Sequence, residues 1–294
     1  MNRTPLFKAY IALVSVCFFW GTTYLAIRMA LESFPPLTLV CTRFLFSSFI
    51  LLAGCFLRGT PLPRGRSFWL TFACGALILG VGNGALTFAE VQIPSGLAGL
   101  IITISPFWMV TLEALLPGGE KLHGPTILGM LLGLGGAVLL FGPNTPAMAG
   151  GSFLTGFLLL QLGMASWSFG SIAQKRLKIK ENPIVAGAIH QLAAALMFLP
   201  LALAVPQHPI VWSARGVGAL IYLVIFGSIV GYTSYAYALT KLPVAVVSLH
   251  TYVNCVVAVL LGWLVYREPF GAREALAMTI IFAGVAVVKR TARG

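Results

Sequence analysis

Asn83, Thr87 and Glu90 stand at i, i+4 and i+7 in an otherwise apolar stretch, so on a helix they share one face. Ile101, Ser105 and Trp108 do the same in the next apolar stretch. The pattern returns 149 positions later, with Tyr232, Ala236 and Leu239 and then His250, Asn254 and Val257 in the matching places. These side chains hydrogen-bond and stack. The chemistry they offer is reversible recognition of a small solute rather than bond making. In lipid, such a stripe bonds a neighbouring helix or faces a wet cavity.

Aromatic residues crowd the same region: Trp20, Tyr24, Phe88, Trp108, Trp167, Tyr232, Tyr235 and Tyr237. Trp20, Trp108 and Trp167 lie well inside their apolar runs. They suit either core packing or a mostly apolar pocket with a few hydrogen-bonding tips, which fits an amphipathic or aromatic solute. Charged, titratable or helix-bending residues inside the apolar runs, which could couple or gate a movement, are fewer. Arg43 lies seven residues past Pro36, about 10 Å into a helix. A charge there is costly unless paired, wet or reaching the interface, so it serves a substrate carboxylate or holds helix ends together. His190 is its counterpart in the second half. Glu90 and Glu113 sit near span ends. No Asp or Glu occupies a span centre, which leaves an uncoupled process, or proton coupling through His190 or His250, open. Pro106 sits mid-span and frees a carbonyl near Ile102, so it is expected to kink its helix.

These groups are positioned by a membrane chain. Only 9% of the 294 residues are charged and 59% are hydrophobic, against roughly 25% charged in a soluble domain. The net charge of +12 comes from basic residues between long apolar runs, so it marks topology rather than nucleic-acid binding. Cys17, Cys41, Cys55, Cys74 and Cys255 all lie in apolar runs without paired spacing, which indicates neither a disulfide framework nor a metal site. No cofactor or metal is expected.

Runs of about 20 apolar residues each span the bilayer as helix. Ten are expected: 9–27, 36–57, 68–89, 94–116, 125–141, 153–174, 183–205, 216–239, 243–266 and 272–288. The first lacks the short apolar run and small-residue site of a cleaved signal peptide and is read as a retained helix. Residues 90–93 form a tight polar connection. Fourteen of the nineteen Lys and Arg residues fall on the side that carries both termini, and Arg28, Arg215, Arg267 and Arg273 on the other. Both termini are therefore expected in the cytoplasm.

The second half echoes the first. Trp20-Gly21 matches Trp167-Ser168, Pro36 matches Pro183, Pro94 matches Pro243, Glu120 matches Glu268 and Gly136 matches Gly284. Two units result, 1–143 and 150–294. Each has five helices, an odd number, so the second enters the membrane from the opposite face. Inverted repeats of this kind build a substrate site near the midplane at their interface. Gly129, Gly133, Gly135 and Gly136 form a small-residue surface suited to packing one repeat against the other, or to dimerisation.

On Phe19-Trp20-Gly21-Thr22-Thr23-Tyr24, Arg43-Phe44, Glu120…Gly129…Gly136 and Arg267-Glu268-Pro269…Gly284, the chain resembles the EamA-type ten-helix carriers of the drug/metabolite transporter superfamily. The resemblance covers nearly the whole chain. It implies a bacterial inner-membrane exporter of small metabolites, amino acids or drugs, working by alternating access, with a small-molecule substrate and the lipid bilayer as partners. YddG-type exporters of aromatic amino acids are a neighbouring branch that these motifs do not separate from the rest. A monomer is expected. The alternatives are a membrane-embedded enzyme and a scaffold. The first lacks a Gly-x-Ser-Gly nucleophile, a His-Glu-x-x-His site and any Asp, and the second lacks a soluble domain.

Overall fold

Lipid offers a backbone amide no partner, so a chain of this composition closes its hydrogen bonds inside helices. The computed structural model describes residues 3–93, 95–119, 123–141, 151–177, 182–266 and 271–291, and no strand occurs among them. Pro94, Glu120, Arg267, Glu268, Pro269 and the 142–150 connection lie outside the described residues.

Ten helical passages run in order: α1 Arg3–Leu31, α2 Pro36–Leu57, α3 Arg66–Gln92, α4 in two pieces (Ser95–Ile102 and Ser105–Leu115) and α5 Gly124–Phe141. The second set is α6 Gly151–Arg176, α7 Pro183–Ala204, α8 Ala214–Lys241, α9 in two pieces (Val244–Ser248 and His250–Tyr266) and α10 Ala272–Thr291. This is an all-α membrane protein of two inverted five-helix repeats. Pro36 and Pro183 both open their helices, where the missing N–H costs nothing. Helices α1, α3, α6 and α8 run past the expected limits at both ends. Residues Glu90, Val91 and Gln92 continue α3, and the chain turns only at Ile93, which is extended.

Two departures from regular α-helix recur at matching places. Ala76–Asn83 in α3 and Leu223–Gly231 in α8 are π-helical. Helices α4 and α9 are each interrupted, at Thr103–Ile104 and at Leu249. Pro106 lies in the first turn of the second piece of α4, so it opens a new helix instead of bending a continuous one.

The repeats interlock. Helix α1 packs on α8 and α9 of the other repeat, and α6 packs on α3 and α4. Each repeat thus lends its first helix to its partner. Helices α2 and α7 pair with each other, as do α5 and α10. The α5–α10 contact follows the internal two-fold: a Cβ at Gly129 would lie 2.8 Å from the Gly284 oxygen, and one at Gly136 would lie 2.9 Å from the Ala277 oxygen. Small residues let the two backbones touch, because lipid gives no hydrophobic drive to hold bulkier helices together. The Gly surface of α5 is used within the chain, and Gly135 alone of the four faces open space.

Candidate functional site

Between α1, α2, α3, α4, α6, α8 and α9 lies a cavity of about 90 Å³. Trp20, Tyr24, Asn83, Ser105, Trp167, Tyr232, His250 and Asn254 line it, together with Arg43. The cavity draws on both repeats at mid-helix depth.

Trp20 is the centre of its aromatic wall. Its ring centroid lies 5.4 Å from Trp167, 5.2 Å from Tyr235 and 5.2 Å from His250, all tilted or edge-on, the geometry that aromatic quadrupoles favour. The polar tips of this wall are held by protein groups. Trp20 Nε1 donates to the Gly227 oxygen (2.9 Å), and Trp167 Nε1 donates to the Tyr235 hydroxyl (2.9 Å), which pairs with Ser171 (2.8 Å). Tyr232 meets His190 Nδ1 at 2.6 Å. His250 Nδ1 donates to the Val247 oxygen (2.8 Å), which leaves Nε2 as the ring's acceptor. The Asn254 amide reaches the Cys17 and His250 oxygens (2.8 and 2.9 Å) with its nitrogen turned toward them. Recognition by stacking is therefore available on fixed rings.

The π-helical turns explain how the Trp20 contact and two others arise. A widened turn leaves carbonyls open to side chains from neighbouring helices. Gly227 accepts from Trp20, Ser228 from Gln191 Nε2 (3.3 Å), and Leu77 from Ser166 (2.8 Å).

Arg43 is 4% exposed and turns inward instead of reaching the interface. Its Nε donates to Ser228 Oγ (2.8 Å) and its Nη1 to Asn83 Oδ1 (3.3 Å). Ser228 is a site residue absent from the sequence-derived set, although it stands one turn before Tyr232 and extends the same stripe.

Other expected site residues lie apart from the cavity. Thr87 bonds back to the Asn83 oxygen (3.1 Å), as a hydroxyl in an apolar helix commonly does. Trp108 donates to Gln161 Oε1 (3.0 Å) and packs in an apolar cluster with Leu160 and Ile101. Tyr235 stands behind the aromatic wall, fully buried. Both carboxylate oxygens of Glu90 are buried without a hydrogen-bond partner among the described residues, outside the cavity lining. Glu113 pairs with Arg176 (3.1 Å) where α4 and α6 end, and Arg176 also caps the Pro117 oxygen (2.7 Å). Among the described residues no three His, Cys, Asp or Glu side chains gather as a metal site would require.

The EamA-like transporter family matches the chain twice, over residues 7–142 and 154–290. A protein of Escherichia coli (strain K12) described as an uncharacterized inner membrane transporter, YedA, is 35% identical, covering 97% of this chain and 90% of its own. A probable terminal-alkyne amino-acid exporter of Streptantibioticus cattleyicolor is 25% identical over 98% of this chain and 96% of its own. One solved structure, described only as a crystal structure of a protein, superposes with a TM-score of 0.81 at 25% identity and covers 97% of both chains.

Proposed function

Because this chain belongs to the EamA-like transporter family, we propose that it exports small amphipathic metabolites, amino acids with aromatic or hydrophobic side chains above all, across a bacterial inner membrane. The observation that carries this reading is the cavity itself: an aromatic wall and a few polar tips, shared between two inverted repeats. The amino-acid exporter of Streptantibioticus cattleyicolor supports the direction and the substrate class. Cavity lining is assigned to Trp20, Tyr24, Asn83, Ser105, Trp167, Tyr232, His250 and Asn254.

The interlocked packing suggests which bodies move. Helices α1, α8 and α9 form one body and α3, α4 and α6 the other, with the cavity between them and the α2–α7 pair alongside. Alternating access is rocking of these bodies, the interrupted helices α4 and α9 absorbing the change. The basic residues put both termini in the cytoplasm. The protein acts as a monomer, since the small-residue surface of α5 is already covered by α10.

Purified protein in liposomes loaded with labelled phenylalanine or leucine tests the reading. Efflux above that of empty liposomes is expected. Folded protein that moves neither of these nor a panel of other small metabolites overturns it.

A further inference from the structure

The cavity's charge and its donors point to a narrower substrate class than an amphipathic solute, an inference that rests on the transport reading above. Of the side chains lining the cavity, only Arg43 is a fixed charge, and no carboxylate lines it. None comes within 4 Å of the guanidinium among the described residues. Glu90 influences Arg43 only through space, and its own oxygens bond to nothing described.

A buried guanidinium is retained where it is paired or used. Arg43 is held but not paired. Its partners are neutral acceptors, Ser228 and Asn83, which fix Nε and Nη1 and leave Nη2 without a hydrogen bond among the described residues. The guanidinium offers five N–H donors in a planar fork, and two are in use. Nη2 lies beside Gly227, where a Cβ would sit 3.0 Å away. A glycine at that position leaves the free edge of the fork unobstructed. The carbon of the guanidinium is 5.0 Å from the Phe44 ring centroid, so one face is covered and the edge is what remains.

We infer that Arg43 receives the carboxylate of the transported solute. Its aromatic or aliphatic body then lies against Trp20, Trp167 and Tyr232. A zwitterion satisfies the site, its ammonium meeting ring faces. A solute with net positive charge does not, because the cavity gives it no carboxylate and sets Arg43 against it. A planar carboxylate matches the fork by two parallel hydrogen bonds.

The test uses the full-length protein in nanodiscs and liposomes with four probes of one shape: 3-phenylpropanoate, phenylalanine, phenylalaninamide and phenethylamine. Tighter binding of the first two, by about tenfold or more over the amide and the amine, is expected. In Arg43→Gln that preference falls to about one, and Arg43→Lys keeps part of it. If Arg43→Gln does not fold, Ser228→Ala and Gly227→Ala serve instead. Each keeps the charge but disturbs the fork, and each is expected to lower 3-phenylpropanoate affinity several-fold more than phenethylamine affinity. Equal binding of amide and carboxylate by the wild type, or an undiminished preference in these variants, overturns the assignment. Equal flux of all four probes leaves the transport reading standing and removes only this one. Absence of flux for every probe and for the panel of other small metabolites, from folded protein, removes the transport reading.

Discussion

Trp20 of the first repeat donates its indole N–H to the backbone oxygen of Gly227 in the second, at 2.9 Å. That oxygen is available because α8 is π-helical there, and the bond fixes the ring at the centre of the cavity wall. Trp20→Phe keeps most of the ring and loses the bond. It is expected to cost about 1 kcal/mol and to lower the thermal midpoint of detergent-purified protein modestly. Trp20→Ala removes the wall as well and is expected to cost about 3 kcal/mol or more, with loss of solute binding.

Trp167 and Trp108 separate cavity from packing. Trp167 lines the cavity, whereas Trp108 bonds to Gln161 within an apolar cluster. Trp167→Ala is expected to weaken binding of phenylalanine by about tenfold, from lost stacking area. Trp108→Phe should leave affinity within about twofold and lower the thermal midpoint, by loss of one buried hydrogen bond. Isothermal titration beside thermal unfolding distinguishes the two.

The α5–α10 seam makes a sharp prediction for stability. Gly129→Val places its side chain against the Gly284 backbone and is expected to lose about 2 kcal/mol or more, because backbone on both sides blocks relaxation. Gly135→Ala, facing open space, is expected to be neutral or slightly stabilising. Thermal midpoints of the two variants check the contrast.

Glu113 and Arg176 tie the ends of α4 and α6, which belong to one packed body. Glu113→Gln and Arg176→Met are expected to destabilise, each by about 1–2 kcal/mol, with a double-mutant coupling near 1 kcal/mol. Transport measured per folded protein, and its pH profile, are expected to stay as in the wild type. A flattened pH profile in Glu113→Gln would instead make this carboxylate a proton carrier.

Composition and spacing alone establish the membrane class, the ten passages and the opposed orientation of the halves. Each depends on counting apolar residues, basic loops and recurring Trp, Pro and Gly, quantities that no tertiary contact changes. They also supply most of the cavity's polar and aromatic residues, since a stripe on a lipid-buried helix has few other uses. Face assignment fails in particular places. Thr87 and Trp108 share a regular helical spacing with cavity residues, yet lie apart from the cavity. The Thr87 hydroxyl is taken up by the Asn83 backbone oxygen, and Trp108 turns to Gln161 and the apolar cluster around Leu160, partners that spacing along one helix does not reveal. Tertiary packing alone fixes the exchange of α1 and α6 between repeats and the inward turn of Arg43 to Ser228 and Asn83. In water, an apolar stripe says which side of a helix faces the core. In a bilayer, lipid is as apolar as the protein interior, so that signal is absent. Helix partners are then chosen by close packing and by individual hydrogen bonds, which exist only once the helices have met.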